Sequence, residues 1–374
     1  MTSPEPGGDR PLTVAVVGTG LIGTSVALAA ARAGDRVRGH DLDGAVLDRS
    51  ARLSGLEPAA SLAAVVEGAD VVVVCTPIPA IPQAVTSALE GSDAVVTDAG
   101  SVKASIIARL EDEGSGSGQT LDLSRYVGGH PMGGSERTGP DAASASILDD
   151  AVWVLTPGPA TDPGATALLE GWVARLGARP VVMDPERHDR LVAIVSHLPQ
   201  LVSTALMALA TEEESDEPEL LLLAAGGFRD LTRLAGSSPP LWRDILRSNP
   251  DELARAVDLY LDRLATLRDA VTADRADDLE EALAAAKRAR LALAAKPSVK
   301  AGVAVLLVPV PDRPGVLADL TLAMSERSVN IEDLQIIHSP EGGRGTVHLT
   351  VAAADAEPAA QALAAHGFAA VRLA

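Results

Sequence analysis

With 374 residues the chain exceeds one ordinary core, so a lone small binding module is excluded and two or three domains are expected. Its 31 basic and 51 acidic side chains leave a formal charge of −20, a field that repels DNA and anionic membranes. Apolar residues at 47% against 22% charged exclude disorder throughout, and aromatics at 2% leave Ala, Val and Leu to fill the cores.

The chain opens with MTSPEPGGDR, which lacks the apolar core of a signal segment. The single cysteine, Cys75, permits neither an intrachain disulfide nor a cysteine-clustered metal site, and a reducing, cytoplasmic setting is expected. Residues 12–17 form a short apolar run feeding GTGLIG, and Ala-rich residues 21–33 follow with helical texture until Gly34 stops them. This reads as strand, turn, helix. β-Branched runs recur at 71–74, 94–97, 152–155 and 180–183, separated by helical segments such as 61–67 and 102–111. Such alternation predicts a parallel, doubly wound α/β sheet. The string GSGSG between Glu113 and Gln119 predicts a surface loop.

From Asp184 to about Lys296 apolar residues recur at helical spacing, which predicts an all-helical second domain. Residues 191–210 carry no Asp, Glu, Lys or Arg, yet His197, Pro199, Gln200 and two serines interrupt the run, so a buried helix is expected rather than a membrane span. A helix apolar nearly all round needs cover on every side, and a homodimer is the simplest supply of it. Residues 296–302 read as a linker, after which strand texture returns at 303–308. The remainder suggests a strand, helix, strand, strand, helix, strand order, a small α+β sandwich. The predicted domains are therefore 1–183, 184–298 and 299–374.

Gly18, Gly20 and Gly23 form GxGxxG between predicted strand and helix, with Leu21 and Ile22 between the last two glycines, and Asp41 follows 21 positions after Gly20. Strand, helix and acid in register predict dinucleotide binding, with the pyrophosphate at the helix N-terminus. Asp41 should accept hydrogen bonds from the adenosine ribose and repel a 2′-phosphate, which favours NAD over NADP, although Arg36 and Arg38 stand on the same strand as opposing cations. Further strand ends carry Thr76 and then Asp98–Lys103, at the carboxyl edge where doubly wound folds bind ligands. Ser101 there reads either as a helix cap or as a hydroxyl facing the site.

His130, within GGHPMG, stands among residues too small or rigid to bury it, and an exposed, working imidazole is expected. Ser196, His197 and Gln200 put polar groups inside an apolar helix, which is costly unless they are paired or face a cavity. A net-negative enzyme gripping an anion needs a guanidinium, for which Arg233 and Arg243 are candidates unless they pair with surface acids. His40, His188, His338, His348 and His366 show no metal-like spacing, so solvated or core-capping duties are their default and no metal is predicted. Cys75 ends a valine run and reads as a buried thiol.

The segments VVGTGLIGTSVALA, TDAGSVK, VGGHPMGGSE, VAIVSHLPQ, GGFRDLTRLA and PLWRDIL, in this order, resemble the prephenate and arogenate dehydrogenases of tyrosine biosynthesis. PDRPGVLADL and VNI resemble a C-terminal ACT regulatory domain. The resemblance implies a Rossmann-type domain, a helical dimerisation and substrate domain, and a ferredoxin-like ACT domain. It also implies NAD-dependent oxidative decarboxylation of a cyclohexadienyl ring: prephenate to 4-hydroxyphenylpyruvate, or alternatively arogenate to tyrosine. In that reading His130 takes the ring hydroxyl's proton, Ser101 orients it, and Arg233 binds a substrate carboxylate. Ser135 and Trp242 line the pocket, which Ser196 and His197 close from the helical side, and Gln200 is a further substrate-binding candidate. Many relatives have SHLPH where this chain has SHLPQ, so Gln200 replaces a second histidine. Gly315 and Asn330 are the implied contacts of an aromatic amino-acid effector. A β-hydroxyacid dehydrogenase would not account for GGHPMG with an ACT tail, and a catalytically inactive amino-acid sensor would bind ligand without forming NADH.

Overall fold

The computed structural model describes residues 10–116, 121–133, 138–214, 217, 219–294, 303–338 and 344–373. Eight strands build the first sheet: β1 (Thr13–Val17), β2 (Arg36–His40), β3 (Glu57–Pro58), β4 (Val71–Val74), β5 (Val95–Asp98), β6 (Tyr126–Pro131), β7 (Val152–Pro157) and β8 (Arg179–Val182). Their order is β3-β2-β1-β4-β5-β6-β7-β8. Val14, Val16, Val71 and Val73 enter one core and Ala15, Val17, Val72 and Val74 the other, so the central strands bury both faces, as a doubly wound sheet requires.

All pairings are parallel except β6 with β7, which is antiparallel. The described part of their connection carries only the short 3-10 turns Pro140–Ala142 and Ala145–Ile147. A parallel return needs a crossover element, and without one β7 runs back beside β6. The sheet is the expected parallel, doubly wound one, with this single antiparallel pairing as a difference. The helix Ala104–Gly116 also runs into the GSGSG string, because propagation adds a hydrogen bond per residue against roughly 1 kcal/mol for each glycine; residues 117–120 lie outside the described ones.

Register levels the carboxyl ends of the strands. Val17 is opposite both His40 and Val74, and Val74 is opposite Asp98. Gly18, Asp41, Cys75 and Ala99 therefore leave the sheet along one edge. Strand order reverses between β1 and β4, the switch point at which such sheets open a crevice.

The charge-free segment lies within Pro185–Val192, a π-helical turn Ala193–His197 and the helix Leu198–Glu214. Pro199 has no N–H for the carbonyl four residues back, and the helix widens by a residue to accommodate it. Contrary to an all-round apolar burial, the buried side carries the polar His188, Asp189, His197, Gln200 and Ser203, while Leu191, Ile194, Val195 and Leu209 are exposed within the chain. The stretch Pro185–Glu214 is long and apolar enough to cross a membrane by composition, but its buried polar side chains are engaged by this same protein.

By contacts the chain divides into two compact units, 1–213 with 232–260, and 214–231 with 261–374. The second contains the helix Ala276–Ala294 and an antiparallel sheet of β9 (Val303–Pro311), β10 (Asp333–His338), β11 (Arg344–Ala352) and β12 (Val371–Arg372), ordered β10-β11-β9-β12. Helices Val316–Glu326 and Ala356–Ala365 complete the strand, helix, strand, strand, helix, strand order around Leu306, Val308, Leu320, Leu349 and Leu363.

Candidate active site

The turn after β1 is built for a phosphate. A Cβ on Gly23 would stand 1.9 Å from the carbonyl oxygen of Gly18, so only glycine lets the helix Leu21–Arg32 start this close to the strand. That helix has no side-chain cap and no acid in its first turn, which leaves the first amides, from Leu21 to Gly23, for an anion. A Cβ at Gly20 would meet nothing within 4 Å, so the approach is open. Asp41 lies just past β2; its Oδ2 accepts from the amide of Thr19 at 2.7 Å and its Oδ1 from that of Asp43 at 2.9 Å. Thr76, past β4, keeps a buried hydroxyl with no partner among the described residues. Arg36 pairs with Glu57 at 3.7 Å and Arg38 donates to the carbonyl of Glu67, both at the opposite end of the sheet, so neither cation reaches Asp41. These residues fit a dinucleotide without a 2′-phosphate. The neighbouring Cys75 packs against a core, and burial pushes its thiol far up, which fits an inert side chain.

At the end of β5 the carboxylate of Asp98 is fully buried and accepts from the amide of Gly100 (2.7 Å), the hydroxyl of Tyr126 (2.8 Å) and the amide of Gly129 (3.2 Å). Lys103, also fully buried, pairs with Asp98 and donates to the carbonyl of Gly129 at 2.6 Å. Burial lowers the Lys103 pKa, while Asp98 and then Asp189 push it back up. The network ties β5 to β6 just before His130. A Cβ on Gly129 would stand 2.4 Å from the carbonyl oxygen of Asp98, so the glycine is what lets the strands close in. For that reason His130 is half-buried rather than exposed as expected.

His130 Nδ1 lies 2.9 Å from His188 Nε2, and His188 Nδ1 lies 2.7 Å from Asp189 Oδ1. A carboxylate only accepts, so the His188 proton sits on Nδ1. Its Nε2 then accepts from His130 Nδ1–H, and the lone pair of neutral His130 is left on Nε2, away from the chain of partners. Burial holds the His130 pKa well below the ordinary value, with His188, Lys103 and His197 adding repulsion in that order. Asp189 also accepts from the amides of Lys103 (2.8 Å) and Ala104 (2.9 Å), so it, and not Ser101, caps the helix Ala104–Gly116. His188, expected to be a solvated or core-capping histidine, is instead buried against His130.

From the helical side, His197 is buried; its Nδ1 lies 3.4 Å from the Asn249 amide, which donates to the carbonyl of Asp189 at 2.8 Å. Burial brings its pKa down to about 4 against the pull of Asp189, so its ring is neutral at pH 7 and carries its proton on Nε2, a buried atom with no partner among the described residues. Trp242 meets His197 edge-on at 6.4 Å between ring centroids. Gln200 donates through Nε2 to the carbonyl of Leu234 at 3.0 Å, which fixes its amide and leaves Oε1 buried with no partner among the described residues. Ser203 accepts from the amide of Ala235 at 2.9 Å. The helix thus anchors the segment directly after Arg233, whose side chain is exposed; Ser196 is half-buried beside His197, and Arg243 pairs with Asp244 on the surface.

The structure brings His130, His188 and His197 into one cluster with Lys103 and Asp189, and Trp242 beside His197. Ser135 lies outside the described residues. Sequence reasoning placed Asp98 and Lys103 at the ligand-binding edge without a role and took His188 for a solvated or core-capping histidine; it missed Tyr126, Asp189 and Asn249, which carry no local signal. In the second unit Gly315, at φ 88°, helps line a cavity of about 310 Å³ with Val310, Asp312, Arg313, Leu317 and Ile336. Asn330 is not in that lining; its amide donates to Glu332 at 2.8 Å.

Residues 26–182 match the family model for the prephenate dehydrogenase nucleotide-binding domain, residues 184–285 that for the prephenate dehydrogenase dimerization domain, and residues 304–368 that for the ACT domain. The chain is 33% identical to a prephenate dehydrogenase of Bacillus subtilis, over 90% of this chain and 91% of that one. Among solved structures it is similar to prephenate dehydrogenase from A. aeolicus in complex with hydroxyphenyl propionate and NAD+, with a TM-score of 0.70 and 29% identity over 76% of this chain and 99% of that one. It is also similar to Synechocystis arogenate dehydrogenase, with a TM-score of 0.65 and 30% identity over 75% of this chain and 99% of that one. Two adjoining domain models and a relative matched nearly end to end agree with the dinucleotide turn and the histidine cluster: this chain belongs to the prephenate dehydrogenase family.

Proposed function

We propose that the chain is an NAD-dependent dehydrogenase of tyrosine biosynthesis that oxidatively decarboxylates prephenate to 4-hydroxyphenylpyruvate. The observation that carries this reading is the chain of contacts from Asp189 through His188 to His130 Nδ1, which leaves His130 Nε2 to accept a proton, on the same sheet edge as the dinucleotide turn. Bound NAD would supply the acceptor for the hydride lost by the alcohol carbon of the ring. His130 takes the hydroxyl proton, and Ser101 orients the hydroxyl. Arg233, held by the anchored segment behind it, grips a carboxylate, and the released CO₂ leaves an aromatic ring. The amides from Leu21 to Gly23, with Gly18 and Gly20, hold the pyrophosphate; Asp41 and Thr76 contact the rest of the cofactor. NADH formed with prephenate by the purified chain supports the reading, whereas binding without NADH would favour an inactive sensor. Asp41→Ala is expected to lower the ratio of kcat/KM for NAD over NADP by about tenfold, measured with both cofactors; an unchanged ratio removes the ribose contact.

A second reading, arogenate as substrate, is favoured by Gln200. Its Oε1 is a buried acceptor with no donor among the described residues. The ammonium of arogenate supplies donors, whereas the keto group of prephenate supplies only an acceptor. Gln200→Leu is expected to lower kcat/KM for arogenate by roughly tenfold or more while changing prephenate far less. Equal losses would leave Gln200 as an anchor for Leu234 only.

The exposed Leu191, Ile194, Val195 and Leu209 support a second copy of this chain as partner, in keeping with the matched dimerization domain. An aromatic amino acid is the effector this reading expects near Gly315, and the cytoplasm its compartment.

A further inference from the structure

His130 is a poor final home for a proton. It is half-buried, and Lys103 and His197 face it from the turn after β5 and from the π-helical turn. Its polar partner among the described residues is His188, on the helix Pro185–Val192, and His188 is backed by the Asp189 carboxylate. Asp189 is kept in place by the amides of Lys103 and Ala104, while the charge of Lys103 is answered by Asp98. The anion in the cluster that touches an imidazole is therefore behind His188, two rings away from the substrate side.

We propose that His188 and Asp189 form a proton relay behind His130, so that the proton taken from the substrate comes to rest on His188 rather than on the ring that removes it. The inference rests on the reaction proposed above. The O–H bond of the ring alcohol breaks as a bond forms to His130 Nε2; the Nδ1–H bond of His130 breaks as a bond forms to His188 Nε2. The relay moves two protons and no electrons, and His130 ends as the other neutral tautomer. The product state is an imidazolium on His188 in contact with the Asp189 carboxylate, a charge pair in a site of low dielectric. His188 and Asp189 are positioning residues in this scheme, since neither touches the substrate.

The test compares the full-length wild type with His188→Ala and Asp189→Asn, each assayed for NADH formation with prephenate and with arogenate. His188→Ala is expected to lower kcat by about ten- to a hundredfold with KM nearly unchanged, and added imidazole, filling the vacated space, should restore much of it. The wild type should show a bowed proton inventory in mixed H₂O and D₂O, and His188→Ala a linear one. Asp189→Asn keeps side-chain volume and serves if the alanine variant does not fold: removing the anion disfavours protonation of the histidine pair, so the acid limb of its pH–rate profile should move to lower pH. Near-normal kcat in His188→Ala, a loss without imidazole rescue, or an unmoved acid limb in Asp189→Asn overturns the relay. A wild type that forms no NADH with either substrate overturns the underlying reaction as well, which separates the two failures.

Discussion

Replacing His130 by asparagine is expected to lower kcat by roughly a hundred- to ten-thousandfold, the span associated with loss of a positioned general base. The dinucleotide turn is built from Gly18, Gly20, Gly23 and Asp41 and takes nothing from β6, so NAD affinity should stay within about threefold of wild type, a change below 1 kcal/mol. Asparagine is smaller than imidazole and can still donate toward His188, which keeps the fold of β6 out of the comparison. Steady-state kinetics with NAD titrated separately against fixed substrate would check the split. Near-normal turnover would remove His130 from the chemistry, and a loss confined to KM would make it a binding group.

The largest expected stability effect lies one network away. Lys103→Met removes the cation from a fully buried pair and leaves the Asp98 carboxylate, among the described residues, with the Gly100 and Gly129 amides and the Tyr126 hydroxyl, while the carbonyl of Gly129 loses the Lys103 donor. Breaking such a pair by removing one partner costs about 3–5 kcal/mol. A urea midpoint that falls at unchanged slope would show it, and Asp98→Asn in the same chain should recover part of the loss, because the uncompensated charge is then gone. The same substitution carries a kinetic sign. Lys103 is one of the charges that hold the His130 pKa down, after burial and His188, so its removal should shift the acid limb of kcat/KM to higher pH. A variant as stable as wild type would mean that water enters to solvate Asp98.

What the sequence by itself determined is local. The strand, turn and helix around Gly18–Gly23 follow from neighbours that must pack within a few residues of each other, and so does the change to helical texture after Asp184 and the return of strands at β9. His130 stood out because glycines and a proline surround it, and that same feature misled on its exposure: Gly129 permits β5 to approach, and burial follows from the approach. Tertiary structure alone decided the rest. Nothing within a few residues of Asp189 shows that it caps a helix beginning at Ala104, or that His188 backs His130, since both contacts join segments far apart in the chain. The reversed direction of β7, the orphaned Oε1 of Gln200 and the isolation of Arg36 and Arg38 from Asp41 belong to the same class. Periodicity and turn chemistry report on forces acting over a few bonds. A hydrogen bond between distant segments depends on strand order and register, which the chain acquires only when its cores close.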